Sequence, residues 1–189
     1  MDIMLFHSVY GMRPAVQAAA ERLRAAGHQV WTPDLFEGRT AGTVEEGMAL
    51  RDEIGKDELL RRAVLVAAPY SERGLVYMGL SFGASVAQTL ALGDEKARGL
   101  LLLHGTSDIA ESASVDELPV QLHVAEPDPF ETDDWLSAWY LQMRKAGADV
   151  EVYRYRGAGH VYTDPELPDW DAQAAEETWS VALSFLDSL

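Results

Sequence analysis

Short apolar runs alternate with helical segments along the whole of this 189-residue chain, and no other feature constrains the fold as strongly. Ile3–Phe6, Gln29–Trp31, Leu75–Met78, Gly99–Leu103, Val120–Val124 and Val150–Tyr155 read as strands. Between them, Arg13–Ala26 with Gly27 as its stop, Asp133–Ala146 and Asp171–Leu186 carry helical spacing. Thr43 stands three residues before Glu46, which marks a helix start. Asp57–Ala68 fits either a strand around Leu65-Val66 or a helix; the helix is preferred, stopped by Pro69. Strands joined through helices require right-handed crossovers and a mostly parallel sheet covered on both faces. The texture is even, so one α/β domain is expected.

The strand at Leu75–Met78 runs into Gly79-Leu80-Ser81-Phe82-Gly83, and a helical stretch follows from Ala84. Strand, tight Gly-x-Ser-x-Gly turn and helix form the nucleophile elbow of α/β-hydrolases. In such a turn the serine oxygen stands at the strand end, and the helix behind it offers free N–H groups and a positive dipole end. The same residues also suit a plain helix-capping serine, so the surroundings must decide.

A serine nucleophile needs a base, and the base needs an orienting carboxylate, in the chain order Ser, acid, His. Three histidines follow the turn. His123 falls inside a strand and His104 ends one, whereas His160 sits in the loop Gly157-Ala158-Gly159-His160, with the reach to lie over Ser81. The acid is expected after the fifth strand. Asp128, held between Pro127 and Pro129, is the first candidate and Glu126 the second. Asp133 and Asp134 suit the first turn of the next helix instead. An oxyanion hole would take the Phe82 N–H and one from the loop after the first strand, Val9 or its neighbour Ser8. Tyr10, Phe36, Glu37 and Tyr162 are candidates to line the substrate, as are Trp135 and Trp139, although aromatics on helices more often belong to the core. Glu37, Arg39 and Arg13 could touch substrate or form surface ion pairs.

Composition narrows the partners. Fifteen Lys and Arg stand against 31 Asp and Glu, a formal net charge of −16. Such a surface repels nucleic acid and anionic membranes, and fits a neutral small-molecule acyl substrate better than a polyanion. Cysteine is absent, which excludes disulfides, thiolate catalysis and zinc-cysteine sites. The first residues are too short and acidic for a signal peptide, so a cytoplasmic enzyme is expected, without metal or cofactor and as a monomer or homodimer.

The loop His7–Gly11, the segment Thr32-Pro33-Asp34-Leu35-Phe36-Glu37-Gly38-Arg39, the elbow, the Asp128 loop and Ala158-Gly159-His160 together resemble the dienelactone hydrolase family of α/β-hydrolases over nearly the full length. The resemblance implies six strands in the order 2-1-3-4-5-6, no separate lid domain, and an esterase or lactonase using Ser81, His160 and Asp128. It also exposes departures. The namesake enzymes carry Cys where this chain has Ser81, and a Glu where Ser8 stands. Their substrate-gripping Arg, shortly after the His, has Asp164 near its place, so an anionic lactone is expected to meet an acid there. A non-catalytic ligand-binding relative and an acyltransferase are the alternative readings.

Overall fold

A computed structural model describes residues 1–189. Its strands are β1 (Asp2–Phe6), β2 (Gln29–Trp31), β3 (Leu75–Leu80), β4 (Gly99–Leu103), β5 (Pro119–Glu126) and β6 (Asp149–Arg156). Its helices are α1 (Pro14–Ala25), α2 (Val44–Ile54), α3 (Lys56–Ser71), α4 (Phe82–Gly93), α5 (Asp133–Lys145) and α6 (Ala172–Ser188). The sheet order is β2-β1-β3-β4-β5-β6, with every neighbouring pair parallel.

Alternate residues of each strand feed two cores, as the two-residue period of a strand demands. Met4, Phe6, Tyr77, Leu100, Leu102 and Leu122 face one side and pack under α3, α4 and α5. Ile3, Leu5, Val76, Met78, Leu101 and Leu103 face the other and pack under α1 and α6. Strands buried on both faces are apolar throughout rather than alternating, which explains the continuous run Gly99–Leu103.

Register then fixes where chemistry can occur. Phe6 pairs with Gly79, and Leu80 with Leu103. The carboxyl ends of β1, β3 and β4 are therefore level, and the loops leaving them share one rim. The chain runs from β1 outward to β2, then returns to β3 and proceeds the other way. Reversals of this kind open a crevice at the strand ends, where ligands of α/β sheets bind.

Several element ends differ from expectation. Helix α1 starts at Pro14, not Arg13, because a proline suits the first helical position and Arg13 is its extended N-cap. Helix α3 runs through Pro69 to Ser71. A proline in the last turn removes a single hydrogen bond, to the carbonyl of exposed Leu65, and does not end the helix. Strand β3 continues to Leu80, so the turn begins at Ser81 itself. At α2, the Thr43 hydroxyl accepts from the Glu46 N–H, while the Glu46 carboxylate accepts from Gly42, one residue earlier than a reciprocal capping box requires. No helix is long and apolar enough to cross a membrane.

Candidate active site

Ser81 has φ 50° and ψ −112°, a left-handed backbone that a residue with a side chain seldom adopts. Glycines on three sides permit it. A Cβ on Gly79 would strike the Gly83 carbonyl, and one on Gly83 would strike the carbonyls of Phe6 and His7. One on Gly105 would lie 2.8 Å from the Ser81 carbonyl oxygen. The Ser81 N–H is held by the Leu103 carbonyl at 2.7 Å. The strand end, the helix start and the β4 loop thus close around the serine, which is half-buried at the rim and borders a cavity there.

The loop after β6 brings His160 across. Its Nε2 is 2.9 Å from Ser81 Oγ, and its Nδ1 is 2.7 Å from Asp128 Oδ2. Nδ1–H donates to the carboxylate, so Nε2 is free to accept from the serine hydroxyl. The Asp128 side chain is fully buried, and its other oxygen accepts the N–H groups of Phe130 and Glu131. The His160 loop is braced in turn: Asp169 accepts the Val161 N–H, and Gly159 lies so close to Asp169 that a Cβ would not fit. Of the acids weighed from sequence, Glu126 instead pairs with Arg156, and Asp133 pairs with Arg154 on the surface.

Two residues with unspent backbone donors border the same space. Phe82 is the first residue of α4, so its N–H has no partner within the helix. The Val9 N–H donates to no protein group. Val9 and Phe82 both line a cavity of about 170 Å³ with Ser81, His160 and Tyr10. Ser8 lines a different cavity, between α1 and α6, and its hydroxyl accepts from Tyr10 N–H. Val9 and Phe82 thus lie at the cavity that holds Ser81, and Ser8 lines the other one. The loop that carries Val9 is tied down by His7: its Nδ1–H donates to the Ser8 carbonyl, and its Nε2 accepts from Leu35 N–H. Asp34 accepts from Phe36 and Gly38, folding the Pro-Asp-Leu segment into the turn that meets His7.

Some expected lining residues lie elsewhere. Tyr162 is fully buried and bonds Thr178, packed between Tyr155 and His104 in the core. Phe36 is also fully buried, its ring against His7 and Phe82, one layer below the cavity. Glu37 points to solvent and pairs with Arg62. Trp139 donates to Gln88 inside the α4–α5 packing. Arg39 pairs with Glu53, and Arg13 with Asp164 and Glu166. Asp164 is thus neutralised and turned into the α1–α6 cavity, away from Ser81, so a substrate would not meet that acid. Of the six residues expected to line the substrate, Trp135 included, Tyr10 alone reaches the cavity.

The structure adds residues that sequence reading passed over. Val44, Met48 and Arg51 of α2 form one wall, with the Arg51 guanidinium held by Asp52. Thr106, Phe130 and Glu131 form another. Glu131 accepts from Thr106 N–H and Oγ1–H, and burial pushes its carboxyl up from the usual value against those bonds. His104, 6.4 Å ring to ring from His160, shares a hydrogen bond through Nε2 with the Thr163 hydroxyl, and burial pushes its pKa well below 6.5. It stays neutral beside His160. These residues lie on a helix wall and on loops whose spacing carries no motif.

An all-parallel sheet with a strained Ser turn at its switch point defines an α/β-hydrolase. The dienelactone hydrolase family model matches residues 2–189, and the chain belongs to that family. By class it is a carboxylic ester hydrolase. An Aquifex aeolicus protein provisionally named carboxymethylenebutenolidase is 22% identical over 97% of this chain and 86% of its own. Two solved structures share the fold. A dienelactone hydrolase-like promiscuous phosphotriesterase from metagenomic libraries has TM-score 0.86 and 18% identity, covering 100% of this chain and 86% of its own. Thermogutta terrifontis esterase 2 has TM-score 0.75 and 13% identity, covering 99% and 83%.

Proposed function

We propose that the protein is a serine esterase for small carboxylic esters, lactones or thioesters, acting through an acyl-enzyme on Ser81. The observation that carries this reading is the line Ser81 Oγ, His160 Nε2, His160 Nδ1, Asp128 Oδ2, with spacings of 2.9 and 2.7 Å, beside two free N–H groups. Ser81 Oγ attacks the carbonyl carbon as His160 Nε2 takes the hydroxyl proton. The oxyanion rests on the Phe82 and Val9 N–H groups. The imidazolium, held by Asp128, gives its proton to the departing alkoxide or thiolate. Water then repeats the sequence on the acyl-enzyme, with His160 again as base, and the acid leaves. No step calls for a metal or cofactor.

The cavity favours a short acyl group, being smaller than the roughly 300–1,000 Å³ typical of sites for drug-sized ligands. With a net charge of −16, the molecule suits a neutral substrate. On a short p-nitrophenyl ester, Ser81→Ala is expected to lose activity by about a thousandfold or more while keeping its melting temperature. A fluorophosphonate should label Ser81 and nothing else. An Ser81→Ala variant with undiminished turnover would overturn the assignment, and an unlabelled Ser81 would favour a binding protein.

A further inference from the structure

Glu131 is a buried carboxylate that the mechanism above does not use, although it shares the cavity with Ser81 and His160. Three donors converge on it: Thr106 N–H at 3.0 Å, Thr106 Oγ1–H at 2.6 Å and Trp135 Nε1–H at 3.1 Å. Trp135 Nε1–H is shared with Thr106 Oγ1 at 2.7 Å, which leaves the Thr106 hydroxyl proton to point at Glu131, and the ionised carboxylate is the form that accepts from all three donors at once. A neutral acid or an amide would have to turn the Thr106 hydroxyl from donor to acceptor.

Its position links two parts of the site. Glu131 leaves the same short loop as Asp128, and its own N–H is one of the donors to Asp128 Oδ1. Thr106, which it grips through both backbone and side chain, follows Gly105, the residue packed on the Ser81 backbone. Resting on the Ser81–His160 reading, we infer that Glu131 is a positioning residue with an electrostatic part: it locks the Asp128 loop to the elbow and adds a second negative charge beside the imidazolium that His160 becomes.

Other charges near His160 do not supply that effect. Asp128 binds Nδ1 directly. Asp169 holds the backbone of the same loop. Arg51, on α2 at the cavity wall, has the opposite sign and is held by Asp52. His104 is neutral, and Tyr10 on the first loop is held in its phenol form by burial.

The test is the pH profile of kcat/KM for a p-nitrophenyl ester in wild type, Glu131→Gln, Thr106→Val and Ser81→Ala. Glu131→Gln removes a negative charge, which weakens His160 as a base. Its acid limb is expected about half to one pH unit lower, with the plateau about threefold to tenfold down. Thr106→Val loosens the loop but keeps the charge, so its plateau should fall while its limb stays in place. A Glu131→Gln limb that does not move, or a wild-type plateau, overturns the inference. Should Glu131→Gln not fold, Glu131→Asp replaces it. That variant draws the charge back by one methylene, and an unmoved limb there counts equally against the proposal. Loss of activity in Ser81→Ala with an unmoved limb in the Glu131 variants means this inference alone fails; activity retained in Ser81→Ala means the nucleophile assignment fails first.

Discussion

Ser81 stores backbone strain that its neighbours must hold, and residues without side chains do much of the holding. A backbone of this kind costs about 1–3 kcal/mol and persists only where packing over-determines it. Gly83 against Phe6 and His7, and Gly105 against Ser81, are such constraints. Gly47 is a less expected one. It lies in α2, and a Cβ there would fall on the Val9 carbonyl. Gly47→Ala should therefore push the Val9 loop aside and misplace its N–H. The expected result is a fall in kcat of about tenfold to a hundredfold with little change in KM, read by steady-state kinetics on a small ester. Ser81, Asp128 and His160 could be found from sequence because a turn motif, a proline-flanked loop and a Gly-rich loop each limit what the residue can do. Glu131 and Gly47 could not, since their meaning lies in which loop they touch. Tyr162 and Phe36 show the converse: Tyr162, two residues after His160, and Phe36, in the Pro-Asp-Leu segment, are buried in the core because the chain turns inward there.

At the scale of elements, the strands were legible because apolar runs buried on both faces have no other use in a chain of this composition. Helix α3 was less so, since its exposed Val64, Leu65 and Val66 imitate a strand and Pro69 imitates an end. Strand β5 hides a titratable group whose behaviour follows from its neighbours. His123 Nε2–H donates to Gln121 Oε1, and Nδ1 accepts from the Tyr155 hydroxyl. Both bonds suit a neutral ring, and burial pushes its pKa down to about 3. The unfolded chain binds a proton there near pH 6.5, the folded one only near pH 3. The stability this group supports is therefore present above about pH 6.5 and lost as pH falls toward 3. Between about pH 7 and about pH 5 it should cost about 2 kcal/mol, measured as a drop in the urea unfolding free energy. His123→Gln should flatten that slope even if it lowers stability at neutral pH.

The whole molecule carries far more acid than base, and many of its cations are already spoken for. Arg13, Arg22, Arg39, Arg61, Arg62, Arg154 and Arg156 each pair with a carboxylate. The surplus negative charge repels itself in the compact state. Raising the salt from about 0.01 M to about 0.5 M should screen it and lift the melting temperature by a few degrees, as scanning calorimetry would record. Surface ion pairs lose a little under the same conditions, so a fall in melting temperature would mean that local pairs outweigh the net repulsion.

Helices α1 and α6 cover one face of the sheet together, although about 150 residues separate them in the chain. For a polypeptide leaving the ribosome, this sets a schedule. The face formed by Ile3, Leu5, Val76, Met78, Leu101 and Leu103 is made early and stays half-roofed until residues 172–188 arrive. His160 is also delivered late. The nascent chain is thus greasy on one side and without its proposed base during the same interval, so chaperone engagement should end when hydrolytic competence begins.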